Sequence, residues 1–211
     1  MIETLLVPGL NGSGTGHWQR EWVERDPSAE LLEQEDWARP RLADWLHALE
    51  ARLESLPGTV LVAHSLGCAL VAALAHRPAA AHVAGALLVA PAEAGRLSQT
   101  VPGAAEFAQA SGARLPFPSI LVASRDDPFM RFDEAEAHAG RWGSGLVDLG
   151  LAGHINVASG FGHWPEGMVL AEGLKGRPSP APIPHRRAPG SWRLRTAGPA
   201  SHDSGLGIAG F

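Results

Sequence analysis

The chain has 211 residues, of which 45% are hydrophobic and 18% charged, so it can bury a sizeable core as one domain. No apolar run approaches the roughly 20 residues that cross a bilayer, and the start "MIETLL" lacks the basic opening and apolar core of a signal peptide, so a cytoplasmic protein without a membrane partner is expected. Six of 17 basic residues but one of 22 acids lie from Lys175 onward, which leaves a body of about −10 that repels phosphate backbones and argues against nucleic-acid binding.

"TLLVPG", Thr4 to Gly9, reads as a buried strand ending at a Pro-Gly break. The glycine-rich "GLNGSGTGHW" follows. A Walker loop needs Gly-Lys-Ser/Thr, but Gly14 is followed by Thr15; the dinucleotide fingerprint needs a third glycine where His17 stands. Both nucleotide readings give way to a plain loop. In "RPRLADWLHALEARLESLPG", Leu42, Trp45, Leu46, Leu49 and Leu53 fall at helical spacing, and Pro57-Gly58 stops the helix. "TVLVA" is the next strand and "GCALVAALAHR" a helix. Its Cys68 is the chain's one cysteine, which excludes an internal disulfide framework and packs as a small apolar group. "VAGALLVAP" and "PSILVAS" are strands, with a less regular stretch between Ala90 and Pro118 suited to a short lid. "DEAEAHAGRW" is a helix and "GLVDLG" a last strand. Alternating strands and helices with nearly uninterrupted apolar strands predict an α/β fold, a mostly parallel sheet with helices on both faces. Trp18, Trp22, Trp37 and Trp45 either line a site or fill core. The predicted domain spans residues 1–174. From Lys175 to Phe211, Pro and Gly supply 12 of 37 residues without helical or strand period, which predicts a disordered basic tail.

"VLVAHSLGCAL", Val60 to Leu70, joins a strand to a helix through Ala63-His64-Ser65-Leu66-Gly67. The positions two before and two after Ser65 are small, as a sharp strand-to-helix turn requires, and such a turn lifts the serine above the sheet edge. The helix N-terminus beyond it points free N–H groups at the same place, where developing negative charge is favoured. A serine hydroxyl needs a base, and the base needs an acid to hold its tautomer. In this architecture the acid and base follow late strands, in that order. "PSILVAS" runs into Arg125-Asp126-Asp127-Pro128, and either aspartate can serve. "GLVDLG" is followed by "LAGHIN", which makes His154 the leading base; His163 is the weaker choice, and His64 packs or hydrogen-bonds locally in a supporting role.

These segments resemble the small α/β-hydrolases of the retinoblastoma-binding-protein-9 type, often called YdeN-like serine hydrolases. The resemblance is carried by "LLVPGLNGSGTGHWQREW", "QEDWARP", "VAHSLG", "LPFPSILVASRDDPF" and "AGHINVASGFGHWPEG", from Leu5 to Gly167. It implies an α/β-hydrolase fold with a minimal lid, and a pattern in which the aspartate before proline, Asp127, is the acid. It also supports His154 as the base, and implies that an amide in the Leu10-Asn11 region joins the Leu66 amide as oxyanion donor. Ala63 replaces the usual glycine, the tail beyond Leu174 is atypical, and no Leu-x-Cys-x-Glu motif is present. The expected activity is hydrolysis of a small-molecule ester or amide through an acyl-enzyme. No cofactor or metal is implied, since there is neither a His-Glu-x-x-His pair nor a cysteine cluster. The competing expectation is a binding or regulatory protein that keeps the fold without turnover.

Overall fold

The computed structural model describes residues 1–110 and 112–175. The predicted tail from 176 onward lies outside the described residues. Lys175, assigned to that tail, pairs instead with Glu3 at 3.0 Å and Glu172 at 2.6 Å, on the domain itself.

Six strands form one parallel sheet: β1 (Thr4–Val7), β2 (Ala29–Leu31), β3 (Thr59–His64), β4 (Val83–Val89), β5 (Ser119–Ala123) and β6 (Gly145–Asp148). Their order is β2-β1-β3-β4-β5-β6, and each neighbouring pair is parallel. Strand side chains alternate between faces, so Leu5, Val7, Leu61 and Ala63 enter one core cluster while Leu6, Val60 and Val62 enter the other. Because both faces are covered, β1, β3 and β5 are buried along their whole lengths. This is why those strands read as continuous apolar runs.

One face carries α2 (Leu42–Glu54), α3 (Leu66–Ala73), α5 (Ala104–Ala110) and α6 (Phe132–Trp142). Trp45, Leu49 and Leu53 of α2 are buried as their spacing predicts. The Ala90 to Pro118 stretch contains α4 (Ala94–Leu97) and α5. Phe107 of α5 is fully buried, its ring edge-on to Trp45 with centroids 5.4 Å apart, so part of the presumed lid is helical core layer. The other face carries α1 (Trp18–Arg25) and α7 (Pro165–Glu172). The sequence reading did not assign α1 or β2. Only Trp18, Gln19 and Trp22 of α1 are buried, and three residues of edge strand are too short to display alternation. No helix among the described residues is long and apolar enough to cross a membrane.

Candidate active site

The turn after β3 is sharp because two close backbone approaches allow it. Ser65 sits at φ 55°, ψ −123°, a conformation that costs a non-glycine residue on the order of 1–3 kcal/mol and is held by its surroundings. A Cβ on Gly67 would lie 2.5 Å from the Val7 carbonyl oxygen and 2.6 Å from that of Pro8, so α3 can rest on β1 only if this residue is glycine. A Cβ on Gly9 would lie 2.8 Å from Ser65 Cβ and 3.1 Å from the Leu66 nitrogen. The loop after β1 is thereby pressed against the serine and the first amide of α3. Ala63 fits fully buried.

The structure brings Ser65, His154 and Asp127 together. Ser65 Oγ lies 2.9 Å from His154 Nε2, and His154 Nδ1 lies 3.0 and 2.9 Å from the two Asp127 oxygens. An ionised carboxylate can only accept, so Nδ1 carries the proton and donates it to Asp127, leaving Nε2 to accept from the Ser65 hydroxyl. The His154 and Asp127 side chains are 7% and 3% exposed, which excludes water that would compete for these bonds. His163 is exposed and takes no part. Asp126, the other candidate acid, accepts instead from Ser124 Oγ at 2.7 Å and the Gly153 amide at 2.8 Å. The Ser124 hydroxyl and that amide hold its carboxyl below the usual carboxylate range.

The expected oxyanion donors divide. Asn11, at φ 63°, gives its amide to the Trp37 carbonyl oxygen at 2.9 Å, so this amide is already committed and the Asn11 expectation is corrected. Leu10 and Leu66 amides have no acceptor among the described residues, and Gly9 keeps the two segments in contact.

The loop carrying His154 is tied down by His64 and by groups that the sequence did not single out. His64 Nε2 donates to the His154 carbonyl oxygen at 2.9 Å, Trp18 Nε1 donates to that of Ile155 at 2.8 Å, and Ser159 Oγ accepts the His154 amide at 3.0 Å. Ser124 Oγ accepts the Ala152 amide at 3.0 Å. Gln19, fully buried on α1, donates to the carbonyl oxygens of Val62 at 2.9 Å and Val7 at 3.4 Å, and accepts from Ser13 Oγ at 2.5 Å. One amide thus joins the ends of β1 and β3 to the glycine-rich loop. His64 keeps the supporting role expected of it, through a hydrogen bond to the His154 loop; Trp18 lies inside the resemblance, while a lone Gln in a short helix carries no signal. Trp18, Trp22 and Trp45 fill core, whereas Trp37 is half-buried against Gly12.

Three imidazoles adjoin one after another in space, with ring centroids 4.9 Å apart for His17 and His64 and 4.8 Å for His64 and His154. Burial, and then the neighbouring His154, push His17 down to about 4 and His64 well below the usual imidazole value, so both are neutral near pH 7. His17 Nδ1 also accepts the Gln19 amide at 3.2 Å and so caps α1. Burial pushes the Cys68 thiol well up, and the group is inert packing on α3. Among the described residues, the non-glycine positions with positive φ are Asn11, Ser65, Ala90 and Ile155. Each follows the C-terminal end of a strand. A cavity of about 920 Å³ between the Gln34 to Arg41 loop, α2 and the Thr100 to Gly103 segment contains none of Ser65, Asp127 or His154.

A family model described as serine hydrolase matches residues 4–172. Among solved structures, a protein described as a YdeN-like hydrolase from Pectobacterium atrosepticum is 34% identical with a TM-score of 0.73, over 82% of this chain and 91% of that one. The ydeN gene product of B. subtilis is 25% identical with a TM-score of 0.68, over 84% of this chain and 100% of that one. Thermogutta terrifontis esterase 2, at 15% identity and a TM-score of 0.60 over 82% of each chain, shares the fold. No curated protein sequence matches the chain.

Proposed function

Because the chain belongs to the serine hydrolase family, in its YdeN-like branch, we propose that it cleaves small carboxylic esters or amides through an acyl-enzyme on Ser65. The observation that carries this reading is the continuous relay from Ser65 Oγ through His154 to Asp127 on a strained turn at the sheet edge.

In the proposed cycle His154 Nε2 takes the Ser65 proton as Oγ bonds to the substrate carbonyl carbon. Asp127 holds the imidazole and offsets its positive charge. The negative oxygen of the tetrahedral intermediate faces the Leu66 and Leu10 amides, which are already fixed before charge develops. His154 returns the proton to the departing alcohol or amine as that bond breaks. Water, deprotonated by the same imidazole, then releases the acid and restores the serine.

The test is labelling of the purified protein with a fluorescent fluorophosphonate beside Ser65→Ala and His154→Ala. Wild type should label and both variants should not, while losing about 10⁴-fold or more in kcat on a p-nitrophenyl ester. A folded wild type that stays unlabelled would sink this reading and leave a binding or regulatory role on the hydrolase fold.

A further inference from the structure

We infer that Phe129 is a fixed apolar shelf for the leaving group, and that the preferred substrates are esters or amides whose alcohol or amine portion is aromatic or otherwise flat and apolar. The inference rests on the serine-hydrolase reading and adds a substrate class to it.

Phe129 is 43% exposed although its ring lies against a buried, charged centre, with its centroid 4.4 Å from that of the His154 imidazole at an interplanar angle of 53°. Its backbone is held from both sides. Its amide donates to Asp127 Oδ1 at 2.8 Å and its carbonyl oxygen accepts from the Glu93 amide at 3.0 Å, which ties the acid loop to the segment after β4. The backbone that carries the ring is therefore fixed before any ligand arrives, which lowers the ordering cost of binding. The His64 ring, 4.8 Å from the same imidazole, is buried in the protein, so the Phe129 ring is the part of this stack open to a ligand.

The chemistry decides which part of the substrate meets it. In acylation the bond between carbonyl carbon and leaving atom breaks as that atom receives the proton from His154 Nε2, so the leaving atom must come within hydrogen-bond reach of the imidazole. The carbonyl oxygen points instead to the Leu10 and Leu66 amides. On this inference a group attached to the leaving atom passes over the Phe129 ring, which packs on the same imidazole, and an aromatic group there gains both burial and ring contact.

The experiment compares phenyl acetate with hexafluoroisopropyl acetate, whose alcohol is of similar acidity but not flat, on wild type, Phe129→Ala, Phe129→Leu and Phe129→Trp. The preference for the phenyl ester should fall about five- to ten-fold in Phe129→Ala, through KM rather than kcat, lie between in Phe129→Leu and persist in Phe129→Trp. Equal losses on both esters would show that the ring merely steadies His154 and would overturn the shelf. A loss that grows along phenyl acetate, butyrate and hexanoate would place the ring on the acyl side and overturn it equally. Fluorophosphonate labelling of wild type separates the two readings: no labelling overturns the hydrolase and the shelf together, whereas labelling with an unchanged ester preference in Phe129→Ala overturns the shelf alone.

Discussion

The two ends of the sheet are built on opposite terms. At the N-terminal end the buried hydroxyls of Thr4, Thr59 and Ser119 open β1, β3 and β5, none of them at positive φ, although the pairing of β3 with β4 shifts register between Thr59 and Val60; Thr59 Oγ1 donates to the Leu56 carbonyl oxygen at 2.8 Å and Ser119 pairs with Ser144 at 2.7 Å. At the C-terminal end the same strands lead to Asn11, Ser65 and Asp127, with positive φ at the first two. Here the polar groups Gln19, His64 and Ser124 spend their hydrogen bonds on carbonyls and amides of neighbouring loops. The first end holds the strands, and the second holds a few atoms in relation to one another. Strain collects where position matters more than stability.

Changes at the two ends should therefore separate activity from folding. The largest effect is expected from Asp127→Asn, which keeps the shape but removes the charge and replaces an accepting oxygen with an NH2 donor that favours the wrong His154 tautomer: kcat should fall about 10⁴-fold with little change in a urea melt. A parallel loss of stability would mean that the pair is structural. Gly67→Ala should instead break the turn, since its Cβ would meet two backbone oxygens, at 2.5 and 2.6 Å. Urea melts should show about 1–3 kcal/mol lost, together with activity. His64→Phe leaves the His154 carbonyl buried without its donor, at a cost of about 1–3 kcal/mol in positioning. This should appear as a roughly 10- to 100-fold fall in kcat that His64→Gln, still a donor, partly restores.

Acid should weaken the same end. His17 is held at about 4, below the roughly 6.5 of an imidazole in the unfolded chain, so the unfolded chain binds the proton first. Stability is then lost as pH falls from about 6.5 toward 4, on the order of 2 kcal/mol from this group. His17→Asn, which can still cap α1, should flatten that part of the curve; an unchanged slope would show that His17 does not contribute. The smallest effect belongs to the quiet end. Thr4 Oγ1 is buried with no partner among the described residues, so Thr4→Val should gain about 1 kcal/mol and leave kcat/KM untouched.

The same division explains what could be read in advance. Val60 to Ala63 and Ile120 to Ala123 lie between two covered faces, so their apolar runs announce strands without knowledge of any neighbour. Ser65 and His154 follow strand ends in chain order, and small residues flank the serine; local pattern therefore reaches them. Spacing could not choose between adjacent Asp126 and Asp127, because their difference lies in partners far along the chain, His154 for one and Gly153 for the other. Asn11 shows the same limit, since its amide is claimed by Trp37, 26 positions away in sequence and beyond local pattern. The short α1 hid for a related reason: its use is concentrated in Trp18, Gln19 and Trp22, which reach across to other segments instead of forming a long apolar stripe.

Cys68 gives this architecture a clock of its own. As the chain's single cysteine it sits fully buried on α3, three residues beyond Ser65, with burial suppressing its thiolate. A thiol reagent in the surrounding solution can reach it only when α3 leaves the sheet, so the rate of modification under native conditions counts the openings of the helix that begins beside the serine. The protein thus reports, without an added probe, how long its turn stays assembled between excursions.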